Sequence, residues 1–317
     1  MVQKFTIVTA SDDKYFHFVQ GLILSIRDRE EGNDVSLSFL DLGCNSDQLR
    51  WLEKTVTHIV RADWKIRFPG QESKPDHFKA IVSKPFLRDY FPGYTVYLWM
   101  DADTWIQEWD SVALYVRAAG QSKIAVTPEI YRSFKGLYIN AREYREFSQL
   151  LYEACFGKEQ AEKYFLYPII NSGVFAMHAD SELWDCWAQK LTIALQRTSH
   201  FCVEQTALNY AIYESEFGNF LENVELLPAT YNWTCHHSLP LLDRENNKLV
   251  EPFLPYEKLK IIHRSGDSLK GKGSVDLLTT EGKKIKMNLK YKEGRYDADF
   301  KTEEPEFTPW QRDASKA

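Results

Sequence analysis

Two aspartates, Asp101 and Asp103, follow directly on the apolar run Thr95–Met100 (TVYLWM). A β-branched and aromatic run of that length reads as a buried strand. In an extended chain residues i and i+2 point to the same side, so both carboxylates can converge on one hard divalent cation. The carboxyl end of a parallel strand is also where open α/β sheets place their ligands. A cation there can bridge phosphate oxygens and neutralise a departing diphosphate. Aspartates at strand ends are ordinary turn formers as well, so the pair acquires meaning only with the elements around it.

Those elements are readable. Phe5–Thr9 is a short buried strand that ends at the polar cluster Ser11-Asp12-Asp13-Lys14. Tyr15–Ile26 carries apolar residues at helical spacing, and Val35–Leu42 alternates like a second strand. Ser46 is the expected N-cap of a helix through Leu49, Leu52 and Val56. This alternation predicts an α/β fold with a mainly parallel sheet flanked by helices. Lys79–Phe91 reads as one helix despite Pro85 within it. Lys123–Thr127 and Gly173–Met177 read as strands, and Ala141–Ala154, Leu183–Gln196 and Val203–Tyr213 as helices. Past Gly271 the texture changes to a hairpin, Val275–Leu278 and Lys284–Leu289 around Glu281-Gly282, and then a charged tail expected to be extended or partly disordered. We therefore expect one domain over 1–272 and an extension over 273–317.

Composition bounds the function. The 317 residues are 44% hydrophobic and 14% aromatic, ample for a large packed core. A net charge of −6 argues against nucleic acid as the main partner. The five cysteines are scattered, with no C-x-x-C pair, which fits reduced thiols and a cytoplasmic location. No window approaches roughly 18 consecutive apolar residues and no signal-peptide pattern opens the chain, so any membrane contact is expected to be peripheral.

A series of motifs over roughly residues 5–272 resembles the retaining glycosyltransferases of family 8, which have the GT-A (Rossmann-like) fold and include bacterial lipooligosaccharide galactosyltransferases and glycogenin. Thr9-Ala-Ser-Asp-Asp-Lys-Tyr15 is similar to the family's A-x-D-x-x-Y. The resemblance implies that Ala10, Asp12 and Tyr15 meet the nucleotide, Asp12 by bonding the base and Tyr15 by stacking on uracil. Phe39-Leu-Asp-Leu-Gly43 resembles an architectural second-strand segment. Lys84 lies where the family has a basic residue that contacts the donor. Asp101-Ala102-Asp103 stands where the family has its metal and diphosphate motif. Asn171-Ser-Gly-Val-Phe-Ala-Met177 resembles the family's N-x-G strand, which implies that Asn171 contacts sugar hydroxyls. Glu204-Gln205 resembles its D-Q pair with glutamate for aspartate, so that Glu204 binds the sugar and Gln205 lies on the reacting face.

The segment Ile261-Ile-His-Arg-Ser-Gly-Asp-Ser-Leu-Lys270 resembles H-x-x-G-x-x-K-P-W, but the lysine comes one residue late and Gly-Lys replaces Pro-Trp. The resemblance implies His263 as third metal ligand, with Gly266 and Lys270 at the diphosphate. An apolar Leu259–Ile262 stretch would point His263 inward. Cys235-His236-His237 suggests zinc, but no partner cluster has suitable spacing. We read the aromatic loop Thr230-Tyr-Asn-Trp233 and its surroundings as acceptor-facing or architectural.

The expectation is therefore metal-dependent transfer of a hexose from a UDP-sugar to a glycan, lipid-linked or protein acceptor, with Mn²⁺ or Mg²⁺ and with retention. The alternatives are an inverting GT-A enzyme or nucleotidyltransferase, and a non-catalytic nucleotide-sugar-binding protein.

Overall fold

The computed structural model describes residues 4–120, 123–214, 220–266, 269 and 273–291. In chain order the strands are β1 Phe5–Ser11, β2 Ser36–Asp41, β3 His58–Arg61, β4 Val96–Met100, β5 Thr104–Ile106, β6 Ile124–Pro128 and β7 Ile170–His178, followed by β8 Val224–Leu226, β9 Trp233–Thr234, β10 Leu241–Asp243, β11 Lys248–Val250, β12 Ile261–His263, β13 Val275–Thr279 and β14 Lys284–Met287. Seven form the central sheet in the order β3-β2-β1-β4-β7-β6-β8. Its pairings are parallel except the two made by β7, which is antiparallel to β4 and β6. The fold is the expected mixed, mainly parallel α/β sheet.

Helices cover both faces, and β4 shows why its sequence lacks alternation. Tyr97 and Trp99 enter one core cluster with Trp184 and Trp187, while Val96, Leu98 and Met100 enter another with Val19 and Leu22. Both pleat faces are dry, so every position is apolar. Each such side chain contributes roughly 1.5–3 kcal/mol by leaving water.

Local chemistry shifts two expected boundaries. Asn45, not Ser46, caps the helix Ser46–Leu52: its side chain accepts from the Asp47 and Gln48 amides, and Gln48 Oε1 accepts from the Asn45 amide. That reciprocal pair is a capping box, set one residue earlier than expected, and the helix stops before Val56. The single helix expected over Lys79–Phe91 is broken into Phe78–Ser83, a 3₁₀ turn Lys84–Phe86 and Leu87–Tyr90. Pro85 has no N–H and its ring crowds the preceding turn. Lys84, at the break, is 5% exposed.

The other seven described strands form two small sheets. One has the order β5-β12-β9, the other β11-β10-β13-β14. The expected hairpin is β13–β14, and β13 also pairs with β10. Leu277 and Met287 pack with Leu242, Leu249, Trp233 and Ile262 in one cluster. The charged tail past Gly294 lies outside the described residues. All five cysteines are free thiols. Among the described residues no helix is long and apolar enough to cross a membrane.

Candidate metal and donor site

Strands β1 and β4 are parallel neighbours, with Val8 opposite Trp99, so Asp12 and Asp101 leave the sheet at the same edge. Strand β7 enters from that edge, with Val174 opposite Met100. The Asp101 amide donates to Gly173 O at 2.7 Å. After Asp101 the chain turns, with the Thr104 hydroxyl donating to Asp101 O at 2.7 Å, and returns as β5. Strand β5 pairs with β12, which sets His263 opposite Thr104, and the Arg264 amide donates to Asp103 O at 2.9 Å.

His263 Nε2 consequently lies 3.4 Å from Asp103 Oδ1 and 4.0 Å from Asp101 Oδ2. The three side chains offer ligand atoms within 4.8 Å of one another. Gly173 lies against this cluster. A Cβ there would sit 2.4 Å from His263 Cε1 and 2.9 Å from Asp101 Oδ2, so the position has room only for glycine.

A chain of amides fixes the histidine tautomer. The Gly173 N–H, an unambiguous donor, bonds Asn171 Oδ1 at 2.8 Å, which turns Asn171 Nδ2 to Glu129 Oε1 at 2.7 Å. Asn232 Nδ2 donates to the same Asn171 Oδ1 at 2.8 Å, which leaves Asn232 Oδ1 facing His263 Nδ1 at 3.0 Å. Nδ1 must then carry the proton. Nε2 faces two carboxylates and needs either a second proton or a cation between them. Two carboxylates and one neutral imidazole form a donor set that suits Mn²⁺.

Lys84 Nζ lies 3.2 Å from Glu204 Oε2 and 3.3 Å from Asp101 Oδ1, and donates to Ser172 O at 3.0 Å. The ammonium also sits 5.2 Å from the centroid of Trp99, whose indole N–H donates to Asp101 Oδ1. Burial pulls Lys84 down, but Asp101 and Glu204 more than offset it and hold its pKa above the usual value. Burial and the Asp101 charge push Glu204 up to about 7 against the pull of Lys84. Glu204 Oε2 accepts from Ser172 Oγ, while Oε1 has no hydrogen-bond partner among the described residues. Lys84, expected at the donor through the resemblance, is buried as a counter-ion to Asp101 and Glu204.

The remaining expected residues are placed unevenly. Gln205 Oε1 accepts from the Ser172 amide. Asn171 is buried and its side chain is engaged by Gly173, Glu129 and Asn232. Ala10 lies buried near the end of β1, and Ala102 is half-buried in the turn between the aspartates. Asp12 Oδ1 accepts from the Tyr15 amide, and His77 lies 3.7 Å from Asp12 Oδ2 with its ring 6.4 Å from that of Tyr15. Gly266 has φ +92°, and a Cβ there would fall 2.9 Å from His236 Cβ, so this turn also demands glycine. Lys270 lies outside the described residues.

Sequence reading missed Glu129, Asn232 and His77. It also found no partner for His236 and His237, yet Glu129 Oε2 lies 3.0 Å from His237 Nε2. Burial raises Glu129, but His237 and Asn171 hold its pKa down to about 2. A lone glutamate after a strand carries no spacing signal. Asn232 stood in the noted Thr230–Trp233 segment without a role.

No protein-family model matches this sequence, and no curated protein matches it either. Solved structures do. The galactosyltransferase LgtC, in complex with donor and acceptor sugar analogs, overlays with a TM-score of 0.50 at 11% identity, covering 83% of this chain and 88% of that one. The bifunctional glycosyltransferase WbbM overlays with a TM-score of 0.51 at 14% identity over 84% of this chain, which spans 46% of WbbM. The structural neighbours are GT-A glycosyltransferases, and the chain has the GT-A fold.

Proposed function

We propose that the chain is a glycosyltransferase that moves a hexose from a UDP-sugar to a hydroxyl acceptor with retention of configuration. Asp101, Asp103 and His263 would hold Mn²⁺ or Mg²⁺. The observation that carries this reading is the convergence of those three side chains against Gly173, at the sheet edge where Asp12 also emerges. A bound cation would neutralise negative charge as the diphosphate departs.

The protein's own groups divide the remaining work. Asp12 and Tyr15 hold the uracil ring, and Ala10 lets the base approach the end of β1. Glu204 Oε1 and Asn171 meet the donor sugar hydroxyls, Gln205 lies on the reacting face, and Gly266 and Lys270 approach the diphosphate. The bond from the anomeric carbon to the phosphate oxygen breaks and the acceptor oxygen bonds that carbon from the same face. The acceptor proton passes to the departing phosphate. Glu204 is a poor candidate for a covalent nucleophile, because Lys84 and Ser172 hold Oε2 in the interior. An oxocarbenium-like transition state would therefore form with the leaving phosphate assisting. A glycan, lipid-linked or protein hydroxyl would serve as acceptor, with any membrane contact peripheral. Five free thiols support a cytoplasmic location.

Thermal-shift titration with UDP, GDP and UDP-sugars, with and without Mn²⁺, tests this, because ligands of the native state raise its stability by mass action. Uridine nucleotides should stabilise the protein most, and only with metal. Donor hydrolysis should follow the same dependence. Tighter binding of GDP, or hydrolysis indifferent to metal, would overturn the reading.

A further inference from the structure

A second set of ligand atoms converges outside the Asp101–Asp103–His263 cluster. Glu129 directly follows β6, and His236 and His237 follow β9. Glu129 Oε2 and His237 Nε2 are 3.0 Å apart, and Glu129, His236 and His237 offer ligand atoms that all lie within 4.8 Å of one another. A tetrahedral ion with bonds of about 2.0 Å holds its ligands roughly 3.3 Å apart, so small side-chain rotations suffice.

Each ligand is also oriented by a partner behind it. Asn171 Nδ2 donates to Glu129 Oε1 at 2.7 Å. Ser265 Oγ lies 2.6 Å from His236 Nδ1. Phe134 stacks on His237 with centroids 5.1 Å apart, and Tyr144 meets the same ring edge-on. Metal-binding side chains characteristically have such outer support, which sets ring orientation and ligand basicity. A simple histidine–glutamate ion pair involves two of these residues, while Ser265 and the facing His237 ring hold His236 as the third.

We propose that Glu129, His236 and His237 form a second divalent-cation site, one that takes Zn²⁺. Two imidazoles and one carboxylate are a borderline donor set of the kind zinc uses, with the fourth position open. Two carboxylates and one imidazole, as at Asp101, Asp103 and His263, are harder and suit Mn²⁺. The ion would replace the Glu129–His237 hydrogen bond and leave Glu129 Oε1 on Asn171. Through Asn171 and Asn232 the two sites share one hydrogen-bonded path to His263.

The test uses the full chain with ZnCl₂ as probe and needs no sugar donor. Asp101→Asn/Asp103→Asn silences the first site, and bound Zn²⁺ is counted by competition with a chromophoric chelator. This double variant should retain one equivalent of Zn²⁺. His236→Ala in that background should weaken binding at least about tenfold, and His236→Ala/His237→Ala should abolish it. His236 is exposed and belongs to none of the apolar core clusters, so its single substitution should leave the core intact, which circular dichroism without metal verifies. Loss of Zn²⁺ from the double aspartate variant, or unchanged affinity in its folded His236→Ala derivative, would overturn the proposal.

Discussion

Asn232 Oδ1 stands 3.0 Å from His263 Nδ1, and this bond leaves Nε2 as the ring nitrogen turned toward Asp103. The order of donors runs back through Asn171 to a backbone N–H at Gly173, so no other amide orientation satisfies the chain. Asn232→Ala should therefore weaken Mn²⁺ binding by roughly 10–100-fold, the usual cost of losing an outer-shell partner. Isothermal titration with MnCl₂ measures it. An unchanged affinity would mean that His263 needs no such orientation.

Gly173 makes a steric prediction. Added carbon at this position meets His263 and Asp101 together, and both are pinned, one by Asn232 and the other by Trp99. Gly173→Ala should displace one ligand, abolish metal-dependent donor hydrolysis and cost about 1–3 kcal/mol of stability by overpacking. Hydrolysis assays beside urea unfolding read the two effects separately. Full activity in Gly173→Ala would show that the three side chains are not held as a unit.

The two aspartates should behave differently without metal. Both Asp101→Asn and Asp103→Asn are expected to abolish metal-dependent turnover. Asp101 also balances Lys84, so Asp101→Asn should lower the metal-free melting temperature. Asp103 faces His263, while the ion pairs of Lys84 run to Asp101 and Glu204, so Asp103→Asn should lower the metal-free melting temperature less than Asp101→Asn. Melting curves in EDTA separate the cases. Equal destabilisation by both would contradict the assignment of Lys84 as partner of Asp101.

What could be read from the sequence follows the range of the interactions. The Thr95–Met100 strand and the helix Val203–Tyr213 were legible because burial leaves a local imprint of apolar residues. The Asn171–Gly173 edge was recognisable because its motif is contiguous. Lys84 could be singled out from the sequence but not its burial, since the turn at Pro85 sends it inward and only the tertiary fold supplies Asp101 and Glu204. Short strands such as His58–Arg61 and Leu241–Asp243 carry too few residues for periodicity to register. Glu129 and Asn232 act through partners far along the chain, and a single polar residue has no spacing by which to be found.

A pH dependence of stability should come from Glu204. One ammonium, Lys84, stands between two carboxylates, buried Glu204 at 3.2 Å and half-buried Asp101 at 3.3 Å, so with both ionised the trio carries an excess negative charge. Burial is the largest influence on Glu204, Asp101 adds to it, and the net result is a pKa of about 7 against 4.5 for the ordinary group. The folded protein therefore keeps a proton between pH 4.5 and 7 that the unfolded chain has released. The Glu204 contribution to stability must fall as pH rises across that window and level off above it, because this group binds more protons in the folded state there. The full difference is roughly 3 kcal/mol at 1.36 kcal/mol per pKa unit. Glu204→Gln imitates the protonated side chain and should remove this slope. Urea midpoints in EDTA, compared between parent and variant from about pH 4.5 to 7.5, isolate the contribution from that of every other titrating group. The curves should diverge progressively toward high pH, with the variant the more stable. Parallel curves would mean that Glu204 is ionised throughout, and that Lys84 compensates both carboxylates in the interior.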